Sequence, residues 1–143
     1  MQDSELALLI DRFMRRIHFG LQAKGPTFDT EKVGPGGGIV LLTLSDMGCP
    51  SLHALTKQVA RDKSQMTRTS RALEAKGLVG RTPSPDDARV TRGYLTPIGA
   101  RVVETLQEAV SETINEILAP ISSSEEQVLR DLLERALGDP APD

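Results

Sequence analysis

The sequence has no tryptophan, a single cysteine and very few aromatic side chains. Aromatic residues make up 3% of its 143 residues and hydrophobic residues 38%, so the core must be built from Leu, Val, Ile, Ala and Met. That composition favours packed helices over a β-sandwich or barrel. With one cysteine, Cys49, the chain has neither an internal disulfide framework nor an all-cysteine zinc site. The length predicts one domain over residues 1–143.

The sequence also lacks long apolar runs and recognisable catalytic motifs. No run reaches the length of a membrane span, and the first residues lack the pattern of a secretory signal, so we expect a cytoplasmic protein that does not bind a membrane. Its histidines, His18 and His53, form no Ser-His-Asp order and no metal-binding spacing. We therefore expect no enzymatic activity, no metal and no cofactor.

A glycine-rich run, Gly34–Gly38, has the composition of a phosphate-binding loop without its context. No Gly-Lys-Ser/Thr follows it and no clear strand precedes it. We interpret residues 27–38 as a loose connection that leads into a short buried helix, Ile39–Ser45. The first helix should begin at Asp3 or Ser4 and end near residue 24, because Gly25-Pro26 follows.

Charge is distributed unevenly along the chain, although the net charge is only −3. Residues 57–96 carry 9 basic and 4 acidic side chains, a net charge of +5, whereas residues 97–143 carry 3 basic and 10 acidic ones, a net charge of −7. A localised basic segment is the electrostatic footprint of a nucleic-acid-binding surface, which matters more than total charge.

The basic segment begins with the outline of a helix-turn-helix. Ser51 is placed to cap one short helix, and Asp62 caps a second that ends at Gly77. Gln65, three residues after Asp62, has the spacing of a capping box. On the second helix Met66, Ser70 and Leu73 share one face, while the opposite face is small, polar and basic: Ser64, Arg68, Arg71 and Ala75. That face suits contact with a polar partner, and an ordinary solvated surface is the alternative.

A hairpin and two helices complete the chain. Leu78-Val79 predicts one strand and residues 91–96 its return. Thr96-Pro97 opens a long helix that stops near Pro120. Ser122 caps a last helix, for which helical spacing predicts a core face: Val128, Leu129, Leu132, Leu133, Ala136 and Leu137.

This order of elements resembles the MarR family of winged-helix transcriptional regulators. Three motifs carry the resemblance: a recognition helix running into a wing strand (Met66–Arg81), an Asp-x-Arg wing tip (Pro85–Arg89) and a Leu-Thr-x-x-Gly start of the next helix (Leu95–Gly99). It implies a mainly α fold with a small β-hairpin wing (α+β), in which residues 39–96 form the winged helix-turn-helix lobe and residues 1–24 and 97–138 the dimerisation helices. Two departures are the glycine run and Gly93, a mid-strand glycine that predicts a bulge.

The resemblance implies a homodimer that binds pseudo-palindromic double-stranded DNA and represses transcription. Arg68 would fork onto guanine in the major groove, and Asp87 would hold Arg89 near the minor groove. If Gln65 closes the capping box it cannot read a base. The full set of expected DNA contacts is Lys63, Ser64, Gln65, Thr67, Arg68, Arg71, Arg81, Asp87, Arg89 and Arg92.

Such regulators respond to small aromatic acids or other ligands, to cysteine oxidation, or to metal. We single out His18, Phe19 and His53 as candidate ligand-binding residues, with ordinary packing as the alternative. Cys49 we expect to be a buried, inert thiol. A second functional reading is a winged-helix module that binds protein instead of DNA.

Overall fold

The structure, a computed structural model, describes residues 3–59 and 62–138. These residues form six α-helices and one two-stranded antiparallel hairpin, which confirms the predicted fold class. The elements are α1 Ser4–Phe28, α2 Gly34–Met47, α3 Leu52–Val59, α4 Lys63–Ala75, β1 Val79–Pro83, β2 Thr91–Leu95, α5 Pro97–Leu118 and α6 Ser123–Leu137. In the described part of the chain, no helix is both long and apolar enough to cross a bilayer.

The hydrophobic core lies in one lobe, around α2. This helix packs against α3, α4, α5 and β2, so its apolar residues are covered on most sides. The buried cluster is aliphatic apart from one methionine, as the scarcity of aromatic residues predicts: Val40, Leu41, Leu44, Leu55, Met66, Leu73, Leu78 and Val103.

Helices α1 and α6 lie outside this core, and neither has a fully buried residue. α1 packs along α5, where Lys24 Nζ donates to Thr113 Oγ1 and Glu116 Oε1, each at 3.0 Å. The core face predicted for α6 is wrong for a single chain, because nothing in the described residues packs broadly over it. Its apolar side chains are largely open, with Val128 58% and Leu132 52% exposed.

Helix α1 continues through the stop predicted at Gly25-Pro26. Gly25 has no Cβ to clash with the following proline ring, and Pro26 lies in the last turn, where it interrupts little of the helix. The Asp29 N–H closes the helix on the Gly25 carbonyl at 2.9 Å. The Asp29 carboxylate then accepts from the Val33 N–H at 2.9 Å and the Gly34 N–H at 3.1 Å. One residue thus ends α1 and caps the start of α2.

The glycine run is helical and α2 begins at Gly34, so the connection predicted over residues 27–38 is too long and only residues 29–33 lie between the helices. Gly37 and Gly38 are buried. An added Cβ at Gly37 would lie 3.5 Å from Leu73 Cδ2 of α4, and one at Gly38 would lie 3.4 Å from Leu106 Cδ2 of α5. Close packing of α2 against both helices offsets the low helix propensity of glycine.

The hairpin strands pair in regular register, with Arg81 opposite Gly93 and Thr82 opposite Arg92. The bulge predicted at Gly93 is therefore wrong. Gly93 is buried, and its N–H donates to the Pro50 carbonyl at 3.0 Å. This bond fastens the base of the wing to the turn between α2 and α3.

Candidate nucleic-acid interface

Helix α4, the second helix of the helix-turn-helix, is capped at both ends as predicted. The Asp62 carboxylate accepts from the Gln65 N–H at 2.8 Å. Gly77 takes φ +74, and the Leu78 N–H bonds the Leu73 carbonyl at 3.0 Å, as in a Schellman stop. In the described residues the Gln65 side chain makes no return bond to Asp62, so its amide remains available to a partner.

The outer face of α4 is exposed, polar and basic. Met66, Ser70 and Leu73 are buried on the inner side, which fixes the rotation of the helix. The residues predicted to contact DNA all point outward and are exposed: Lys63, Ser64, Gln65, Thr67, Arg68 and Arg71. Three of these six side chains are cations, and none is large and apolar.

The wing tip contains the predicted pair of Asp87 and Arg89. Asp87 Oδ1 accepts from Arg89 Nε at 3.1 Å and from the Arg89 N–H at 3.0 Å, and Oδ2 lies 3.3 Å from Arg89 Nη2. The Arg89 guanidinium, followed by its backbone N–H, holds the pKa of Asp87 below its usual range. The Arg89 side chain remains 91% exposed, so the pair orients the guanidinium without burying it. Contact of either residue with DNA stays a prediction.

Two predicted phosphate contacts already have partners within the protein. Arg81 Nε is ion-paired with Glu74 of α4, and Arg92 Nη1 donates to the Cys49 carbonyl at 2.8 Å. Both arginines join the wing to the helix-turn-helix, a role that sequence reasoning missed because no local signal marks such contacts. Their contact with phosphate also remains a prediction.

Cys49 is exposed, so the buried thiol predicted there is wrong. The neighbouring Pro50 occupies the buried position of the turn instead. A single exposed thiol can react with solution reagents, which makes it a convenient labelling position.

The three candidate ligand-binding residues are not gathered at one site. His53 lines a cavity of about 410 Å³ between α3, α4 and β1, with Lys63, Arg71 and Arg81 among its other lining residues. His18 and Phe19 are exposed on α1 and do not line it. In the residues that the structure describes, no group of His, Cys, Asp or Glu could hold a metal ion.

A helix-turn-helix, α3 and α4, followed by an antiparallel hairpin defines a winged helix-turn-helix protein. Residues 39–91 match the family model described as MarR family, the segment that contains α3, α4 and the wing tip. The chain is similar to the MarR family over this segment.

Two named relatives and one solved structure are also similar to the chain. The chain is 36% identical over 81 residues to the uncharacterized HTH-type transcriptional regulator YdgJ of Bacillus subtilis, covering 57% of this chain and about half (49%) of that one. It is 28% identical over 123 residues to YxaD of the same organism, also an uncharacterized HTH-type transcriptional regulator, covering 86% and 84%. A probable transcriptional regulator from Pseudomonas aeruginosa superposes with a TM-score of 0.64 at 27% identity, covering 89% and 96%.

Proposed function

We propose that the protein is a homodimeric transcriptional regulator that binds a pseudo-palindromic DNA operator. The observation that carries the proposal is the exposed basic face of α4, held in place by buried Met66 and Leu73 and flanked by the exposed Arg89 of the wing. Relatives named as transcriptional regulators support it.

The basic face suits the major groove of duplex DNA. An α-helix fits this groove, where arginine forks onto guanine and glutamine onto adenine. Arg68 and Gln65 are the side chains for those contacts, while Ser64 and Thr67 add short hydrogen-bonding groups beside them. Arg89 at the wing tip would meet the strong negative potential of an adjacent minor groove. Lys63 and Arg71 supply phosphate contacts, together with Arg81 and Arg92 if they exchange their present partners for phosphate.

The homodimer is supported by the open apolar faces of α1 and α6. These side chains are roughly half exposed or more in the single chain: Leu6, Leu9, Ile10, Met14, Val128, Leu132, Leu133 and Leu137. Apolar faces of this extent are typical of protein–protein interfaces. Symmetric pairing would cover them and place two recognition helices toward successive turns of one duplex.

Repression follows from occupancy, since a dimer seated on its operator excludes other proteins from that DNA. The basic cavity that contains His53 supports an organic acid as the releasing ligand, because Lys63 and Arg71 would neutralise a carboxylate there. A bound acid would also compete with DNA for those two cations. Benzoate is a suitable probe. It should raise the Kd for the operator in the parent protein. In a double variant, His53→Leu with Arg71→Gln, the ratio of the Kd with benzoate to the Kd without it should stay at one.

DNA binding is tested by fluorescence anisotropy on duplexes recovered from in vitro selection. Binding through several phosphates must weaken steeply with salt, with log Kd rising linearly with log salt concentration. A protein that selects no duplex even at low salt is not a DNA-binding regulator. That result would favour the alternative, a winged-helix module that binds another protein through the same exposed face of α4.

A further inference from the structure

A five-residue connector, residues 29–33, is the place where the dimerisation helices meet the DNA-binding lobe. Asp29 ends α1 and caps α2, as described above. Lys32 takes φ +54, an uncommon conformation for a side-chain-bearing residue. Val33 then packs against the lobe core, where a Cβ added to Gly37 would come within 3.0 Å of the Val33 Cβ. Specific contacts therefore fix the conformation of the connector.

The connector is also bonded to the recognition helix. Lys76, the C-terminal cap of α4, donates from Nζ to the Glu31 carbonyl at 2.7 Å. This bond joins positions 45 residues apart in sequence. It links the end of α4 to the connector, three residues beyond the last residue of α1.

The lobe holds α1 and α5 unequally, because α5 enters the lobe core with buried Val103 and packs on α2 and β2. In the described residues α1 packs broadly only along α5, and the lobe meets α5 chiefly through α2. The α2–α5 contact is close, with Gly38 facing Leu106, so it can act as a pivot. A rotation of the lobe about this pivot would change the separation of the Lys76 and Glu31 backbones.

We propose that Lys76 is a positioning residue that sets the separation of the two recognition helices in the dimer. Its bond to Glu31 restrains the lobe about the α2–α5 contact, so each α4 is held at one distance from the dimer axis. The proposal rests on the homodimeric, DNA-binding function proposed above. It gives Gly37 a role, because its missing Cβ lets α2 lie close to Val33 of the connector.

The experiment uses the native Cys49 thiol as its only labelling site. Cys49 is exposed and lies in the lobe, so a nitroxide on it in each protomer reports the distance between lobes by pulsed electron spin resonance. Lys76→Met removes the hydrogen-bond donor, whereas Lys76→Arg keeps one. The matched control is Lys57→Met, which removes an exposed cation from α3. The same four proteins are then titrated with operator duplexes whose half-site spacing differs by one base pair.

The parent and Lys57→Met should give one narrow distance distribution and a clear preference for one spacing. Lys76→Met should broaden the distribution and lower the ratio of Kd between wrong and right spacings by about threefold, consistent with the loss of one hydrogen bond, and Lys76→Arg should restore both. The proposal is overturned if Lys76→Met keeps the parent's distribution and ratio. An equal loss of affinity at every spacing, with a salt slope lower by about one, would also overturn it and make Lys76 a phosphate contact.

Failure of the function itself would look different, because it would appear already in the parent. A monomeric parent, or one that binds no duplex, would overturn the homodimeric regulator and this inference together. A dimeric parent that binds DNA while its Lys76 variants behave alike would overturn the inference alone.

Discussion

Arg68 is the residue whose shape matters as much as its charge. It is exposed on the outer face of α4, and a guanidinium can make two parallel hydrogen bonds to guanine whereas an ammonium cannot. We expect Arg68→Ala to cost about 1–3 kcal/mol on the best operator and to flatten base preference at one position of each half-site. Arg68→Lys should lose the preference while keeping most of the salt dependence. Competition binding against single-base operator variants measures both, and an unchanged base preference in either variant would remove Arg68 from base readout.

We expect Arg89 to differ from Arg68, because its pair with Asp87 orients a positive charge at the wing tip and does not read a base. Arg89→Ala should weaken binding by a similar factor on every operator variant. It should also raise the pKa of Asp87 toward its usual range, because it removes the guanidinium, the larger cause of the lowered pKa, and leaves the backbone N–H in place. Carbon-detected NMR titration of the Asp87 carboxyl gives that value, and Arg101→Ala on α5 serves as a control that should leave it unchanged.

The sign of the pH effect at the wing tip follows from the same lowered pKa of Asp87. A carboxyl with a lower pKa in the folded chain than in the unfolded one favours the folded tip at pH values above its unfolded pKa. The contribution disappears as pH falls through the folded value. Order at the tip, read from the Arg89 side-chain resonances, should therefore be constant near neutral pH and be lost only in strong acid. Loss already near pH 6 would show that another group controls the tip.

At the scale of elements, the glycines of α2 and α5 differ in what lies opposite them. An added Cβ at Gly38 meets Leu106 Cδ2 at 3.4 Å, an ordinary contact with a flexible side chain, whereas at Gly99 it would overlap the backbone carbonyl of Leu78. We expect Gly38→Ala to stabilise the fold by about 0.5–1 kcal/mol through helix propensity. Gly99→Ala should destabilise it by about 3 kcal/mol, because a backbone carbonyl cannot move aside. Urea denaturation compares the two, and equal effects would contradict the packing described here.

The elements that sequence predicted correctly are those with local signals. α4 was predicted with its caps because Asp62 and Gly77 act on backbone groups within a few residues. The start of α2 was missed because the fit of Gly37 and Gly38 against Leu73 and Leu106 depends on distant parts of the chain. Sequence rules that consider only neighbouring residues include the low helix propensity of those glycines but not their packing.

The candidate site divides in the same way. The outward face of α4 and the pair at the wing tip follow from helical spacing and from residues two apart, so sequence predicted both. The partners of Arg81 and Arg92 could not be predicted, because they are chosen by how the wing folds back on the helix-turn-helix. The same holds for the bond between Lys76 and Glu31, which requires the connector geometry.

Across the whole molecule, charge and apolar surface are segregated. The described residues of the basic segment 57–96 lie at the end of α3, in α4 and in the wing, whereas the described acidic residues of segment 97–143 lie on α5 and α6. The open apolar surface lies on α1 and α6, away from the basic face of α4. The proposed DNA-binding and self-association surfaces therefore consist of different residues, and each can be altered without changing the residues of the other.

Leu132 on α6 allows self-association to be tested by itself. It is 52% exposed in the single chain, so a charge there should not unfold the protomer. In a two-fold dimer each substitution occurs twice, and burying one leucine contributes about 1.5–3 kcal/mol. Leu132→Glu should therefore convert a dimer into a monomer in light scattering while helical circular dichroism is retained.

The matched control for Leu132 is Ile39 on α2, which is 46% exposed and lies outside the α1 and α6 surface. Ile39→Glu should remain dimeric. A monomeric Leu132→Glu should bind a full operator much more weakly, because the second half-site no longer benefits from the high effective concentration that linkage gives. Its affinity for an isolated half-site should match that of the parent. If Leu132→Glu stays dimeric and Ile39→Glu dissociates, the protomers associate through the lobe, and the recognition helices cannot have the two-fold arrangement proposed here.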